Sequence, residues 1–386
     1  MKVLYYSPPG FADNNFTLYK AMRDRGVDFT YLMSMMPGTT KSPVFEIKNV
    51  INKNAIIKAS EYKELQIFEK YMDFSHFYIL NRNKSRSYSF TAFLMTIKLI
   101  QFIRKEKFDV IHITYPLWAS EILLYFFRHR MVLTVHDPIP HSGEKSLIRN
   151  VFRTMSFKLI PNLILLNEFQ ENEFVDKYNL NNSRIYHNCL GRFDFLDLFK
   201  DDVLKSDPNL ILFYGRISPY KGVEYLCQAM EIVHKEIPQA KLIIAGKGNM
   251  YFDFAKFSDK SYICFYNRFI DLIEVTELLQ KCAFTVCPYT DATQSGVVLM
   301  SFTMGKPVVA TRIEGFSKVI IDGENGVLVK PKDYVSLASG ILELLKNRDK
   351  VVYMAQSIKE HFFSNERSWE GITERCLNIY DSIIKS

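Results

Sequence analysis

FYGRISPYKGVEYL, residues 213–226, decides the fold. An apolar run, 210–214, leads into Gly215-Arg216. Pro219 stiffens a basic turn, and Lys221-Gly222 opens a helical period. Farther on, PYTDATQSGVVLMSFTMGKPVVAT at 288–311 reads as loop, helix, Gly-Lys-Pro turn and buried strand. A helix start offers unpaired N–H groups and a partial positive charge, so phosphate settles there. Arg adds a planar fork and Lys a point charge. Arg216 and Lys221, five apart across a strand-to-helix turn, therefore read with the second segment as a pocket for a diphosphate that needs no metal. Alone, the two cations would read as solvated surface charges.

The same alternation runs outward along the chain. Short apolar β-rich runs alternate with helical periods, the pattern of open parallel sheets. In the first half, strands are expected at 3–6, 29–32, 110–113, 132–135 and 163–166. Helices are expected at 16–25, ended by Gly26, near 61–71 and at 90–105, while the rest of 37–88 reads as polar and irregular. In the second half, strands are expected at 210–214, 241–245, 262–266, 284–287, 308–311 and 327–329, with a last helix at about 369–384. The 386 residues exceed one ordinary domain, so two are expected, 1–200 and 201–368, joined by the polar stretch 200–209.

Composition narrows the class. Hydrophobic residues make up 48%, enough for full cores, and no apolar run is long enough to span a bilayer. The first residues, MKVLYYSPPG, read as strand and loop rather than a signal peptide. Six cysteines without C-x-x-C spacing read as buried thiols in a reducing compartment, with neither a metal site nor a disulfide framework. The formal charge of +7 is uneven: residues 1–200 carry 27 basic and 19 acidic side chains, the remainder 22 and 23. An anionic partner on the first half, or simple solubility, accounts for that excess equally.

Further candidates lie at strand ends, where open sheets bind ligands. Gly246-Lys247-Gly248 and Asn267-Arg268-Phe269 each end a strand; Lys247 and Arg268 are ligand contacts or rim charges. Gln294-Ser295-Gly296 precedes a helix; its small residues let N–H groups approach an oxyanion, and Ser295 is equally an N-cap. His136-Asp137 follows the buried strand MVLTV, with His141 and Glu144 in the same loop. A lone His after a strand is commonly structural, but this one sits at a carboxyl strand end. His112, inside a strand, reads as packing or loop-orienting. The basic aromatic loop 82–88, before an apolar helix, reads as a membrane-resting loop or a solvated one, and the helix as core.

These segments resemble the retaining glycosyltransferases of family 4. The shared pattern is strand-G-R-(x)4-K-G-(x)3-L at 215–226, L-x-I-x-G-x-G at 242–248, and P-(x)3-E-(x)7-E-(x)4-G-x-P-V-x-A/S-T at 288–311. The resemblance is good over 209–345 and looser over the first two hundred residues. It implies an α/β GT-B fold, two Rossmann-like doubly wound domains with an interdomain cleft, and a terminal helix 369–386 packing back on the first. It implies His136, Arg216 and Lys221 as catalytic residues. Gly10, Gly246, Lys247, Arg268, Asp291, Gln294, Ser295 and Gly296 would hold the donor, and Asp137, His141 and Glu144 would face the acceptor. Both family glutamates are replaced, by Ala292 and Met300. Asp291 is a substitute for the first, and Ser301 a candidate for the ribose contact of the second.

The resulting expectation is a metal-independent, cofactor-free transferase using a UDP- or GDP-sugar. Its acceptor would be a glycan, or a glycan on a lipid diphosphate, at the inner face of the cytoplasmic membrane. Nucleic acid is not an expected partner. No G-x-G-x-x-G follows either first strand, which argues against a dinucleotide oxidoreductase. A sugar-nucleotide epimerase of the same fold and a non-catalytic glycan-binding relative stand as alternatives.

Overall fold

A run such as Val3-Leu4-Tyr5-Tyr6-Ser7 is buried at every position, and only a strand covered on both faces demands that. The computed structural model describes residues 1–84, 88–139, 146–166, 168–180, 183–291 and 296–385. It resolves into two compact units, Met1–Gly191 with Asn365–Ser386, and Arg192–Ser364. Those divisions differ from 200 and 368: the short helical turn Asp194–Phe199 packs on a helix of the second unit.

The first unit holds strands β1 (Lys2–Ser7), β2 (Asp28–Met35), β3 (Ala55–Lys58), β4 (Phe77–Asn81), β5 (Val110–Ile113), β6 (Met131–Val135), β7 (Asn162–Leu165) and β8 (Arg184–His187). Its helices are α1 (Ala12–Asp24), α2 (Phe90–Glu106), α3 (Leu147–Leu159) and α4 (Glu171–Tyr178). The sheet order is β3-β4-β2-β1-β5-β6-β7-β8. All pairs are parallel except β3 with β4. Stacked Tyr31 and Phe77, 4.7 Å apart, weld β2 to β4. Residues 37–88 thus contain two strands and are not merely irregular. The helix expected near 61–71 is a 3-10 run, Lys63–Lys70, burying only Leu65 and Phe68.

α2 begins where the Ser89 hydroxyl accepts from the Ala92 N–H and ends at Lys107 in the left-handed region. Its Met95, Leu99 and Ile103 face the core, as a packed helix requires, while Phe90, Phe93 and Leu94 stay exposed.

The second unit contains β9 (Leu210–Tyr214), β10 (Lys241–Ala245), β11 (Ile263–Tyr266), β12 (Phe284–Cys287), β13 (Val308–Thr311) and β14 (Gly326–Val329). They pair in parallel in the order β11-β10-β9-β12-β13-β14, the six-stranded Rossmann order. Helices α5 (Val223–Glu236), α6 (Leu272–Lys281), α7 (Gly296–Thr303), α8 (Glu314–Ser317), α9 (Tyr334–Lys346) and α10 (Arg348–Ser357) cover it. The order reverses between β9 and β12, and both decisive segments leave the sheet there. Of the cysteines, Cys264 is exposed and Cys189 half-buried, so the expectation of wholly buried thiols holds for the other four.

The last helix, α11 (Trp369–Ile384), belongs to the first unit and packs on α1 and β5. His112 anchors it. One ring nitrogen lies 2.6 Å from the Tyr380 hydroxyl and the other 2.6 Å from that of Thr134. A neutral imidazole donates through one nitrogen and accepts through the other, so both contacts are satisfied. Burial pushes its pKa down to about 3, the neighbouring His136 adding to the effect. Tyr380→Phe should cost about 1–2 kcal/mol, the scale of leaving one buried partner unsatisfied. Urea denaturation followed by circular dichroism measures it; an unchanged midpoint would mean that α11 is held by packing alone.

Candidate functional site

The carboxyl ends of β9 and β10 approach so closely that only glycine fits. A Cβ on Gly246 would lie 1.8 Å from the Gly215 carbonyl oxygen, and one on Gly248 would lie 2.0 Å from that of Ile217. The Gly215 N–H donates to Ala245 and the Ile217 N–H to Lys247, so the two strand ends zip together beyond the sheet. Asn267 clamps the other side, accepting from the Gly248 N–H and donating to its carbonyl. Gly222, at φ +66°, lies against the backbone after β12: a Cβ there would be 2.0 Å from the Pro288 oxygen. The Thr290 N–H donates to Tyr220 across the same gap.

This backbone seam aims the charges. Arg216 is exposed. Lys221 is half-buried, its ammonium 3.6 Å from the Tyr289 ring centroid and 5.1 Å from that of Tyr220. Burial pushes the Lys221 pKa down to about 8; Cys287 opposes that push and Arg216 adds to it. The Cys287 thiol is itself driven up to about 12 by burial, so it supplies no counter-charge at neutral pH. A cation held in partly desolvated surroundings with no ion pair among the described residues is poised for an anion. Ser218, in the same turn, has a buried hydroxyl with no hydrogen-bond partner among the described residues. Sequence reasoning missed it, although its place between Arg216 and Lys221 was the available signal.

Other expected donor residues distribute unevenly. Lys247 is exposed beside the zipped strand ends. Arg268 forks onto Glu274 at 2.5 and 2.7 Å, so its guanidinium is already engaged at the start of α6. Asp291 is exposed, and Gly296 opens α7. Gln294 and Ser295, with Ala292, lie outside the described residues. Ser301 is corrected: it is 0% exposed and donates to Val297 while accepting from Thr285, so it cannot meet a ribose. Met300, in place of the second glutamate, is only 7% exposed. Lys306 donates to the carbonyls of Gln280 and Cys282, a structural role.

In the first unit, Gly10 is exposed in the short turn Pro9–Phe11 after β1. The turn lays Phe11 flat on His136, ring centroids 4.0 Å apart and planes 10° off parallel. Packing around the imidazole pushes its pKa down to about 4, Asp137 opposing. At neutral pH it is therefore an uncharged hydrogen-bonding group. Its Nε2 is buried with no partner among the described residues. Asp137 is half-buried beside it. His141 and Glu144 lie outside the described residues.

Family models match both halves. The model described as Glycosyltransferase Family 4 takes in residues 15–188, and that for glycosyl transferases group 1 takes in 194–361. This chain belongs to the family 4 type of glycosyltransferases. Similar curated proteins include an uncharacterised glycosyltransferase of Methanocaldococcus jannaschii, 30% identical over 46% of this chain and 50% of its own. A phosphatidyl-myo-inositol mannosyltransferase of Mycobacterium leprae is 26% identical over 72% of this chain and 75% of its own. The chain spans about half the length of the first curated relatives it matches. Among solved structures, Anabaena HepE in complex with UDP and glucose has a TM-score of 0.69 at 16% identity, over 99% of this chain and 100% of its own. Sucrose-phosphate synthase from Thermosynechococcus elongatus has 0.68 at 16%, over 100% of both chains. The fold is thus GT-B, α/β with two Rossmann-like parallel-sheet domains.

Two histidines whose folded pKa values lie below the ordinary 6.5 give a signed pH effect. The unfolded chain binds more protons below 6.5, so their stability contribution is present above that pH and is lost as pH falls toward about 4. Thermal melts between pH 7 and 4 should show Tm falling, and His136→Gln should flatten the slope. A Tm independent of pH in that window would show that neither imidazole is held neutral.

Proposed function

We propose that the chain transfers a sugar from a UDP- or GDP-sugar to a glycan or lipid-linked glycan, with retention at the anomeric carbon and without a metal. The observation that carries this reading is Lys221 over Tyr289, beside Arg216, at the reversal between β9 and β12. As the bond from the anomeric carbon to the diphosphate oxygen breaks, negative charge grows on the leaving group. Cations already fixed there stabilise the transition state more than the ground state. The acceptor hydroxyl forms the new bond on the same face, and its proton passes to the departing phosphate oxygen. No carboxylate nucleophile is then needed. Neutral His136, whose Nε2 has no partner among the described residues, would hydrogen-bond the donor sugar.

HepE bound to UDP and glucose supports a nucleotide-sugar donor, and the inositol-lipid mannosyltransferase supports an acceptor built on a lipid. The site of action we propose is the inner face of the cytoplasmic membrane, in surface polysaccharide assembly. No helix among the described residues is long and apolar enough to cross a membrane. The buried Met300 is the observation favouring a second reading, a non-catalytic glycan-binding relative, because it removes an acidic contact to the nucleotide. Release of nucleoside diphosphate from a panel of sugar nucleotides separates the two; no release from any donor sinks the transferase reading.

Arg216→Ala or Lys221→Ala should lower kcat/KM by about 10²-fold or more, the scale of one preorganised electrostatic contact. EDTA should leave activity intact, and strict dependence on a divalent ion would overturn the mechanism. Because Lys221 loses its proton above about pH 8, nucleoside diphosphate should bind more weakly as pH rises past that value. Lys221→Arg, which stays charged, should lose that pH dependence in calorimetry. His136→Ala should spare nucleotide binding while turnover falls; loss of nucleotide binding together with the fold would make His136 structural.

A further inference from the structure

The amino edge of the first unit's sheet, the end away from Gly10 and His136, contains a cavity of about 880 Å³. It opens where three strands begin: Asp109 just before β5, Asn162 at the start of β7 and Arg184 at the start of β8. Three helical segments end beside it. The last turn of α2 and its cap bring Arg104 and Lys107, the 3-10 run Ala119–Arg130 brings Arg130, and α11 closes one wall with Ile383 and Ile384.

The charge is one-sided. Arg104, Lys107, Arg130 and Arg184 face one carboxylate, that of Asp109, which already accepts from the Lys2 backbone N–H at 2.7 Å. None of the four cations forms an ion pair among the described residues. Helix C-termini attract cations, which accounts for basic residues in the last turns. It does not account for Arg184, which opens a strand. Nor are the side chains spent on terminal carbonyls: Arg130 reaches the Phe108 carbonyl at 3.5 Å, and the side chains of Arg104, Lys107 and Arg184 donate no hydrogen bond among the described residues. Convergent cations with donors to spare suit an oxyanion.

Asn162 points to a ligand independently of the charge. It is only 2% exposed, and its Nδ2 donates to the Met131 carbonyl at 3.0 Å, which fixes the direction of the amide. Its Oδ1 is buried with no hydrogen-bond partner among the described residues. Buried acceptors are rarely left so, because the lost hydration is not repaid. The missing partner is a donor, an O–H or N–H, that must enter the same cavity as the anion. Inorganic phosphate fills little of this space, which is that of a small organic ligand. Ile103, Phe127 and Pro161 add an apolar wall that suits the C–H face of a sugar ring. Of the lining side chains only Ile384 is a large exposed hydrophobic, so no apolar belt surrounds the mouth for a bilayer to cover.

We infer that this cavity is a second ligand site, for a soluble sugar phosphate: Arg104, Arg130 and Arg184 hold the phosphate, and a ligand hydroxyl donates to the Asn162 Oδ1. It lies at the opposite end of the strands from His136 and takes no part in the transfer step. Because the end of α11 forms one wall, a bound ligand ties that helix to the sheet and stabilises the first unit.

Calorimetry of the full chain with mannose 6-phosphate, inorganic phosphate and mannose tests this. Mannose 6-phosphate should bind about tenfold or more tightly than either of the others, and it should raise Tm. Arg184→Gln, and separately Arg104→Gln/Arg130→Gln, replace exposed side chains. Each should weaken mannose 6-phosphate about tenfold or more and remove the Tm shift. Asn162→Leu keeps the side chain's shape without its acceptor and should weaken mannose 6-phosphate while sparing inorganic phosphate. If a thermal melt shows that Asn162→Leu does not fold, the arginine variants decide. Arg216→Ala/Lys221→Ala should bind mannose 6-phosphate as the unaltered chain does; binding lost there and kept in the arginine variants places the ligand in the donor pocket and overturns the site. No binding at millimolar concentration overturns it as well. Equal affinity for inorganic phosphate and mannose 6-phosphate overturns the sugar assignment. Phosphatidylinositol presents the same chemistry from a membrane: sedimentation with vesicles containing it that Arg104→Gln/Arg130→Gln abolishes would overturn the soluble ligand in favour of a lipid headgroup.

Discussion

Carbonyl oxygens pressed to within contact distance of a neighbouring backbone are the constraint on which the second unit's site depends. Gly246, Gly248 and Gly222 are there because any side chain would force β9, β10 and the segment after β12 apart, and Gly215 because its φ of +122° suits no other residue. With them apart, the Ile217–Lys247 and Thr290–Tyr220 hydrogen bonds would be lost together. The turn 215–222 would then be an ordinary flexible loop, and Lys221 would swing into water and titrate like any surface lysine. Its depressed pKa and its seat over Tyr289 are therefore products of backbone packing more than of its own side chain.

The same logic of neutrality and burial governs the first unit. His136, with Phe11 stacked on it, and His112 are both kept uncharged by burial, and His136 adds a little to the effect at His112. An imidazolium at either place would repel the other across the same strand ends. The two imidazoles at this sheet edge are thus arranged to hydrogen-bond without carrying charge.

Much of this was legible in the chain itself. Apolar runs at 210–214, 241–245 and 308–311 have one interpretation once helices separate them, and Trp369–Ile384 shows its helix through its period. Strands β3 and β4 were not legible, because residues 37–88 mix Asn, Lys and Ser with short apolar stretches. Their strand character comes from pairing with β2, a tertiary effect no local window contains. Arg216 and Lys221 stood out by spacing, and His136 by its place after a strand. Ser301 misled because a serine one place from an expected contact looks available, yet the helical rotation turns it toward Thr285. Arg82 misled in the opposite sense: in a basic string, of which 85–87 lie outside the described residues, it reads as solvated or as resting on a membrane, and only the folded sheet shows it buried, its guanidinium donating to the Met36 sulfur.

The first unit is discontinuous, completed by residues 365–386 only after the whole second unit has been spelled out. On a ribosome this sets an order of events. Strands β1 to β8 emerge first but lack α11, so the Tyr380 hydroxyl is missing from His112 and β5 stays uncovered on that side. The second unit, contiguous in sequence, can close as soon as residue 364 clears the exit tunnel. Synthesis therefore leaves a waiting interval in which apolar strand surface of the early segment needs shielding, and the length of that interval is fixed by the time taken to translate residues 192–384.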